Sequence, residues 1–414
     1  VARHFRLYIL FAAFQFLYIS TSEAQLIGYQ LEGNRKKASF SFEIYNNLII
    51  IPVTINKRIP LKFILDTGVS SAILFDKQFT DLIGINYSRK ITVFGVGEEK
   101  VVQAFVATEM QLSLPMIEGH RQSLLVLEED YLELDKQIGA EVHGIIGYEL
   151  FSRFIVEIDY PDKRITFWDP QHFKPKRKRN WEKIEMNVLT TKPFVNIPIS
   201  ISGGEKFNGN FLIDTGASHA LLIHHESNDE LYLPEKKLPS VLGKGLTGTI
   251  YGHLARIGSM DLGKFEFKDV IVSFPDEDSY SDSLVNIEKN GTIGGEIFTR
   301  FRVVIDYLNE VLYLRRTKLV DDDFEYNMSG LEVIADGPDL DRLKIISVRE
   351  GSPADSVDIK KDDIILSING LTGESLTLSA IYKIFNSRPH KRVKIFIQRD
   401  EEKLRKRFYL RKDL

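Results

Sequence analysis

Cysteine is absent from all 414 residues. That removes disulfides, thiolate metal sites and cysteine nucleophiles together, leaving Asp, Glu, His, Ser, Lys or a bound ion to carry any chemistry. A dominant charge is lacking too: 54 Lys and Arg stand against 58 Asp and Glu, for a net charge of -4, so no global positive field argues for nucleic acid as a partner. Long apolar runs are scarce. The first, over residues 7–19, falls short of the ~20 residues a membrane-spanning helix needs. Arg3, His4 and Arg6 precede it and Ser22-Glu23-Ala24 follows it with small residues where a cleavage site requires them, so residues 1–24 read as a signal peptide. The expectation is an exported protein with no stable membrane span after cleavage, located in the periplasm or cell envelope or secreted. Export without disulfides, and without a cysteine at the cut to carry lipid, fits a bacterial envelope. Common catalytic signatures are also missing: there is no G-x-S-x-G elbow, no P-loop and no His-Glu-x-x-His, and His224-His225-Glu226 lacks the helical spacing of a zinc site.

What is present is globular and duplicated. Hydrophobic residues make up 43% and charged residues 27%, and at ~150 residues per domain the length allows nearly three domains. Phe63-Ile64-Leu65-Asp66-Thr67-Gly68-Val69-Ser70-Ser71-Ala72 recurs as Phe211-Leu212-Ile213-Asp214-Thr215-Gly216-Ala217-Ser218-His219-Ala220. Phe94-Gly95-Val96-Gly97 returns as Leu242-Gly243-Lys244-Gly245 in the same register. Gly144-Ile145-Ile146-Gly147 returns as Gly291-Thr292-Ile293-Gly294, and Ile158-Asp159-Tyr160 as Ile305-Asp306-Tyr307, one residue closer. Blocks repeated in one order and almost one register mark a duplication. Short β-branched runs such as Leu48-Ile49-Ile50-Ile51 and Phe194-Val195-Asn196-Ile197 predict that both halves are mostly β. The expected lobes are residues 25–170 and 184–320. The basic, proline-containing stretch 171–183 is expected to be a solvated linker and a site of proteolytic nicking.

An Asp that closes an apolar strand and precedes Thr-Gly sits at a sharp turn that glycine permits. One such turn is a weak signal. Two in a duplicated chain face each other once the halves fold about a pseudo-two-fold axis. Paired carboxylates cannot both ionise, so Asp66 and Asp214 would share a proton. The ionised member could then take a proton from a water while the protonated member polarises a peptide carbonyl. Asp66-Thr67-Gly68 and Asp214-Thr215-Gly216, each followed about 80 residues later by the Gly147 and Gly294 segments, resemble the aspartic proteases. The short lobes, with Val69 and Ala217 in place of a hydroxyl residue, are more similar to retropepsins than to pepsins. The resemblance implies two pseudo-symmetric acid-protease β-barrel lobes. It makes Asp66 and Asp214 the catalytic pair, and has Thr67 and Thr215 cross-link the two loops through their hydroxyls and the opposing backbone. Gly68 and Gly216 would allow close approach to substrate, and Gly147 and Gly294 would brace each loop. Gly95/Gly97 and Gly243/Gly245 would lie in flap hairpins. The implied substrate is a polypeptide, with no cofactor and no metal. His219, beside the second triplet, reads as a pocket-lining or surface residue and not a catalytic one.

Beyond residue 314 the repeat stops, and Asp321-Asp322-Asp323 reads as a polar break. The order Gly351-Ser352-Pro353-Ala354, Asp362-Asp363-Ile364-Ile365, Ile368-Asn369-Gly370, then an apolar helix near 379–385 and a strand near 393–398, is similar to PDZ domains. A PDZ-like α+β domain is therefore expected over 329–414, with Asn369-Gly370 as a hairpin turn. The resemblance implies a peptide or protein ligand. The loop expected to dock a peptide carboxylate, Asp336-Gly337-Pro338-Asp339-Leu340-Asp341-Arg342, is acidic, however, so a structural or regulatory role is also open. The whole reads as an aspartic-type endopeptidase. The alternative is a non-catalytic protein that binds peptides in the duplicated groove and the PDZ domain; retention of both Asp residues favours the enzyme.

Overall fold

A computed structural model of the chain describes residues 27–93, 102–176, 179–245, 248–276 and 289–414. The expected signal peptide and the Gly95/Gly97 pair lie outside these residues. Among the described residues no helix is long and apolar enough to cross a membrane.

The strand Leu48–Ile55 shows how the sequence builds each lobe. Side chains alternate along a strand. Ile49, Ile51, Val53 and Ile55 accordingly enter one core, and Leu48 and Ile50 a second. Both faces are covered over residues 48–51, so that stretch is apolar throughout, and only beyond it do the exposed Pro52 and half-buried Thr54 appear. Asn46-Asn47, with φ of +46° and +65°, forms the two-residue turn that pairs Glu43–Tyr45 with this strand. Leu48–Ile55 then pairs antiparallel with Ile59–Leu65, whose end leads into Asp66.

The two lobes repeat one strand arrangement. In the first, Gly144–Ile146 lies parallel to Ile59–Leu65 and antiparallel to Ile73–Leu74. In the second, Gly291–Ile293 lies parallel to Phe207–Ile213 and antiparallel to Leu221–Ile223. A six-stranded sheet joins the lobes, in the order Glu182–Glu185, Val311–Arg316, Phe301–Asp306, Ile155–Asp159, Arg164–Trp168, Lys37–Ser41. At its seam Val156 faces Ile305, Glu157 faces Val304 and Ile158 faces Val303. Val156 and Val303 are repeat equivalents, as are Ile158 and Ile305, so the pairs exchange about Glu157–Val304. The pseudo-two-fold axis passes there.

Both boundary stretches carry exposed polar residues, as expected, and both are also anchored to the lobes. Among the described residues of 171–183, Gln171, Lys174, Arg179 and Asn180 are exposed, while the ends are pinned: Trp181 is buried, Phe173 packs on Trp168 and Tyr313, and Lys176 lies over the Trp181 ring while reaching Glu157 at 2.8 Å. Two aromatics inside a basic run cover the outer face of the joining sheet, and charge alone hides that role. Asp321-Asp322-Asp323 is likewise held to the second lobe. Arg300 donates to the carbonyls of Leu319, Asp322 and Asp323 and stacks 3.8 Å over Phe324, which is buried with Tyr326 and Met328.

The C-terminal module is a five-stranded sheet, Leu331–Asp336, Arg342–Val348, Ile364–Ile368, Arg392–Arg399 and Glu402–Tyr409, with one helix, Leu378–Phe385. Asn369-Gly370 is the tight turn expected, with both φ positive. The acidic stretch Asp336 to Arg342 is a hairpin turn, closed by an ion pair between those two residues. It does not lead into the edge strand Leu331–Asp336, so the assignment of a carboxylate-docking loop there is corrected. The segment that enters this strand is Ser329-Gly330, with Gly330 at φ +82°.

Candidate active site

Each Asp is placed by the end of its strand and by one bond from the strand beside it. The Asp66 N–H donates to the Ile146 carbonyl at 2.9 Å, and the Asp214 N–H to the Ile293 carbonyl at 2.9 Å. Continuing that register delivers both carboxyls to the same point between the lobes. Gly68 N–H then donates to Asp66 Oδ1 at 2.5 Å and Gly216 N–H to Asp214 Oδ1 at 2.9 Å, fixing each carboxyl plane.

The opposing carboxyls explain both glycines. A Cβ on Gly216 would stand 2.2 Å from Asp66 Cγ, and one on Gly68 would stand 3.0 Å from Asp214 Oδ2. Gly216 therefore leaves its side-chain volume to the Asp66 carboxyl, while at Gly68 the squeeze is milder and shared between Asp214 Oδ2 and Asp66 Oδ1, each at 3.0 Å.

Thr67 and Thr215 lock the arrangement. Thr67 Oγ1 donates to the Ile213 carbonyl at 2.6 Å and accepts from the Thr215 N–H at 3.0 Å. Thr215 Oγ1 donates to the Leu65 carbonyl at 2.8 Å and accepts from the Thr67 N–H at 3.1 Å. All four bonds cross between lobes, and both threonines are buried. Beneath the loops a Cβ on Gly147 would stand 1.8 Å from the Asp66 carbonyl oxygen, and one on Gly294 would stand 2.1 Å from that of His219. Only hydrogen fits at either place.

Burial raises the Asp66 carboxyl well above the usual range, and the neighbouring charge of Asp214 adds to this, while Gly68 N–H and the Lys192 ammonium work against it. Tyr307, stacked on Phe151 with centroids 5.5 Å apart, lies in the field of both carboxyls. Desolvation and those charges keep its hydroxyl protonated. Desolvation pushes His219 down to about 4, against the field of Asp214, so its ring is neutral at ordinary pH. Among the described residues no group of three His, Asp or Glu is arranged to hold a metal ion.

Several contributors escape a reading of motifs. Asn47 reaches across from the first lobe, its Nδ2 donating to the Ser218 carbonyl at 2.8 Å beside Asp214. In the reverse direction Thr191 of the second lobe meets Ser70 through their hydroxyls at 2.6 Å. Both Asn47 and Thr191 occupy the turn before the first long strand of a lobe, a repeat-equivalent place with different residues. Comparing the turns of the two halves would have drawn attention to them. Gly243 and Gly245 lie in the hairpin Lys237–Gly245 and Gly248–Leu262, Gly243 at a bulge and Gly245 opposite Gly248. The hairpin reaches the first lobe, where Lys244 Nζ stands 3.5 Å from Glu133.

A family model described as aspartyl protease matches residues 51–150 and again 197–295, and one described as PDZ domain matches residues 319–407. No curated protein matches the chain.

Proposed function

From a chain that carries two aspartyl protease regions in tandem and a PDZ domain after them, we propose a single-chain aspartic endopeptidase that hydrolyses polypeptides with Asp66 and Asp214. The supporting observation is the mutual approach of the two carboxyls: Asp66 fills the space a side chain on Gly216 would need, and Asp214 lies within hydrogen-bonding reach of Asp66. Carboxyls in such mutual approach share one proton. A water between the carboxyls loses a proton to the ionised member as its oxygen attacks the scissile carbonyl carbon. The protonated member supplies a hydrogen bond to the carbonyl oxygen as charge develops there. Collapse of the tetrahedral species breaks the C–N bond, and the amine leaves with a proton returned from the dyad. The threonine bonds hold both carboxyls still, so little reorganisation accompanies the charge shift. The N-terminal stretch supports export to a cell envelope or beyond as the setting for this activity.

The test is cleavage of a denatured protein between pH 3 and 7, with and without pepstatin, by the unaltered chain and by Asp66→Asn and Asp214→Asn. A lone carboxyl cannot serve as base and acid in one step, so each variant loses turnover while retaining its fold by circular dichroism. Activity surviving in either variant, or insensitive to pepstatin, refutes the assignment. A non-catalytic peptide binder would show no cleavage at any pH.

A further inference from the structure

Peptide capture by strand addition uses the free N–H and C=O groups along an edge strand, with a helix forming the opposite wall of the groove. In the C-terminal module that strand is Leu331–Asp336 and that wall is Leu378–Phe385. The groove is closed from within. Tyr382 of the helix accepts a hydrogen bond from the Val333 N–H at 3.2 Å, and its hydroxyl also lies 3.2 Å from the Val333 carbonyl. The hydroxyl's single proton is shared between that carbonyl and Glu332 Oε2 at 3.4 Å, so one side chain occupies the place where an added strand would need the outward groups of Val333.

The far end of the groove is filled by another part of the chain. The short helix Leu134–Ile138 of the first lobe packs against Leu331–Asp336. The residue that caps it, Gly139, sits so close that a Cβ there would be 2.9 Å from Leu378 Cβ and 3.8 Å from Ala335 Cβ. Gly139 also has φ +69° and donates its N–H to the Asp135 carbonyl at 2.8 Å, so glycine serves helix termination and close approach together. Ala335 and Leu378 are buried beneath it, and Lys136 lies in the field of Asp336. At the other end of the helix Glu133 is shared between Lys136 at 2.7 Å and Lys244 at 3.5 Å. Contacts thus run without a break from the module, through this helix, to the hairpin of the second lobe.

We propose that the PDZ groove takes its ligand from the same chain, the first-lobe segment 133–140, and that this docking braces the Lys237–Gly245 hairpin of the second lobe. The module is then an internal clamp and not a receptor for a separate C-terminus. Its consequence for catalysis rests on the reading of that hairpin as a flap over the cleft of a protease; the docking itself does not.

Hydrogen exchange on the full chain tests this without using activity. Leu378→Glu places a charge against Gly139, so amides of 134–140 should exchange about tenfold faster or more, and those of 237–245 should also accelerate. Protection of the central module strand Ile364–Ile368 should persist, showing that the module remains folded. Because that variant could unfold the module, Glu133→Lys and Lys244→Glu provide a second arm. An exposed ion pair is worth at most ~1 kcal/mol, so each single reversal should speed exchange at the hairpin by about two- to fivefold, and the double reversal should restore it. A valine-terminated octapeptide added to the unaltered chain should leave exchange of 331–336 and 378–385 unchanged. Faster exchange confined to the module in Leu378→Glu, no restoration in the double reversal, or protection of the groove by the octapeptide would each overturn the proposal. If the exchange results hold while KM for peptide substrates is unaffected by Lys244→Glu, the clamp stands and the flap reading falls.

Discussion

The four threonine bonds between the lobes give the most direct test of how the site is held. Thr215→Val keeps the side-chain shape and removes one hydroxyl. The Leu65 carbonyl then loses its donor and the Thr67 N–H its acceptor, and both residues are fully buried. An orphaned buried polar group costs about 1–3 kcal/mol, so the pair should cost about 2–6 kcal/mol. Thr67→Val orphans the Ile213 carbonyl and the Thr215 N–H and should cost a similar amount. Thr215→Ser keeps the hydroxyl and loses one methyl, a change of about 1 kcal/mol. The assay is urea unfolding followed by tryptophan fluorescence. The chain has two tryptophans, Trp168 in the sheet that joins the lobes and Trp181 packed against it, so the signal reports the region between lobes. A Thr215→Val transition within about 0.5 kcal/mol of the unaltered protein would refute the reasoning, since that is no more than a neutral surface change produces. So would a Thr215→Ser variant as damaged as the valine, because shape and not hydrogen bonding would then be the cause.

Three further outcomes follow from the same geometry. Asp66 has a folded pKa above its ordinary value, so the unfolded chain binds fewer protons and stability falls as pH rises from about 4 through the raised folded value. Asp66→Asn should therefore gain stability over the unaltered chain across that window and match it in stronger acid; parallel stability curves would count against a desolvated dyad. Val69 and Ala217 cannot donate to the outer carboxyl oxygens, so Val69→Ser with Ala217→Ser should favour the ionised pair and move the acidic limb of kcat/KM downward. An unaltered optimum already near about pH 2 to 3, with no shift in the variant, would show that other groups set the protonation. Gly216→Ala drives a methyl to 2.2 Å from Asp66 Cγ, and displacing a reacting carboxyl by about 1 Å should cost ~100-fold in kcat with the fold retained; full activity would contradict the facing arrangement.

The sequence by itself determined that the chain is duplicated, that each half is built of β-strands, and that Asp66 and Asp214 end equivalent strands before Thr-Gly. Those features are local, since alternation of apolar residues and turn chemistry act over a few neighbours, and repetition makes the two halves alike wherever their residues are alike. It also placed the module helix and the Asn369-Gly370 turn, because an amphipathic run and a positive-φ pair need no distant partner. Only the tertiary structure decided what faces what. The bond from Asn47 to Ser218 joins positions 171 apart, and the Ser70–Thr191 contact positions 121 apart, with unlike residues at equivalent places. The aromatic residues of 171–183 cover a sheet that exists only after both lobes pair, and the acidic stretch Asp336 to Arg342 became a hairpin turn once Leu331–Asp336 took the sheet edge. Gly139 reads as an ordinary helix stop until Leu378 and Ala335 are brought against it. Such contacts depend on the seam at Glu157–Val304 and on the docking of separate units, where burial and charge are properties of two surfaces together and neither segment records them alone.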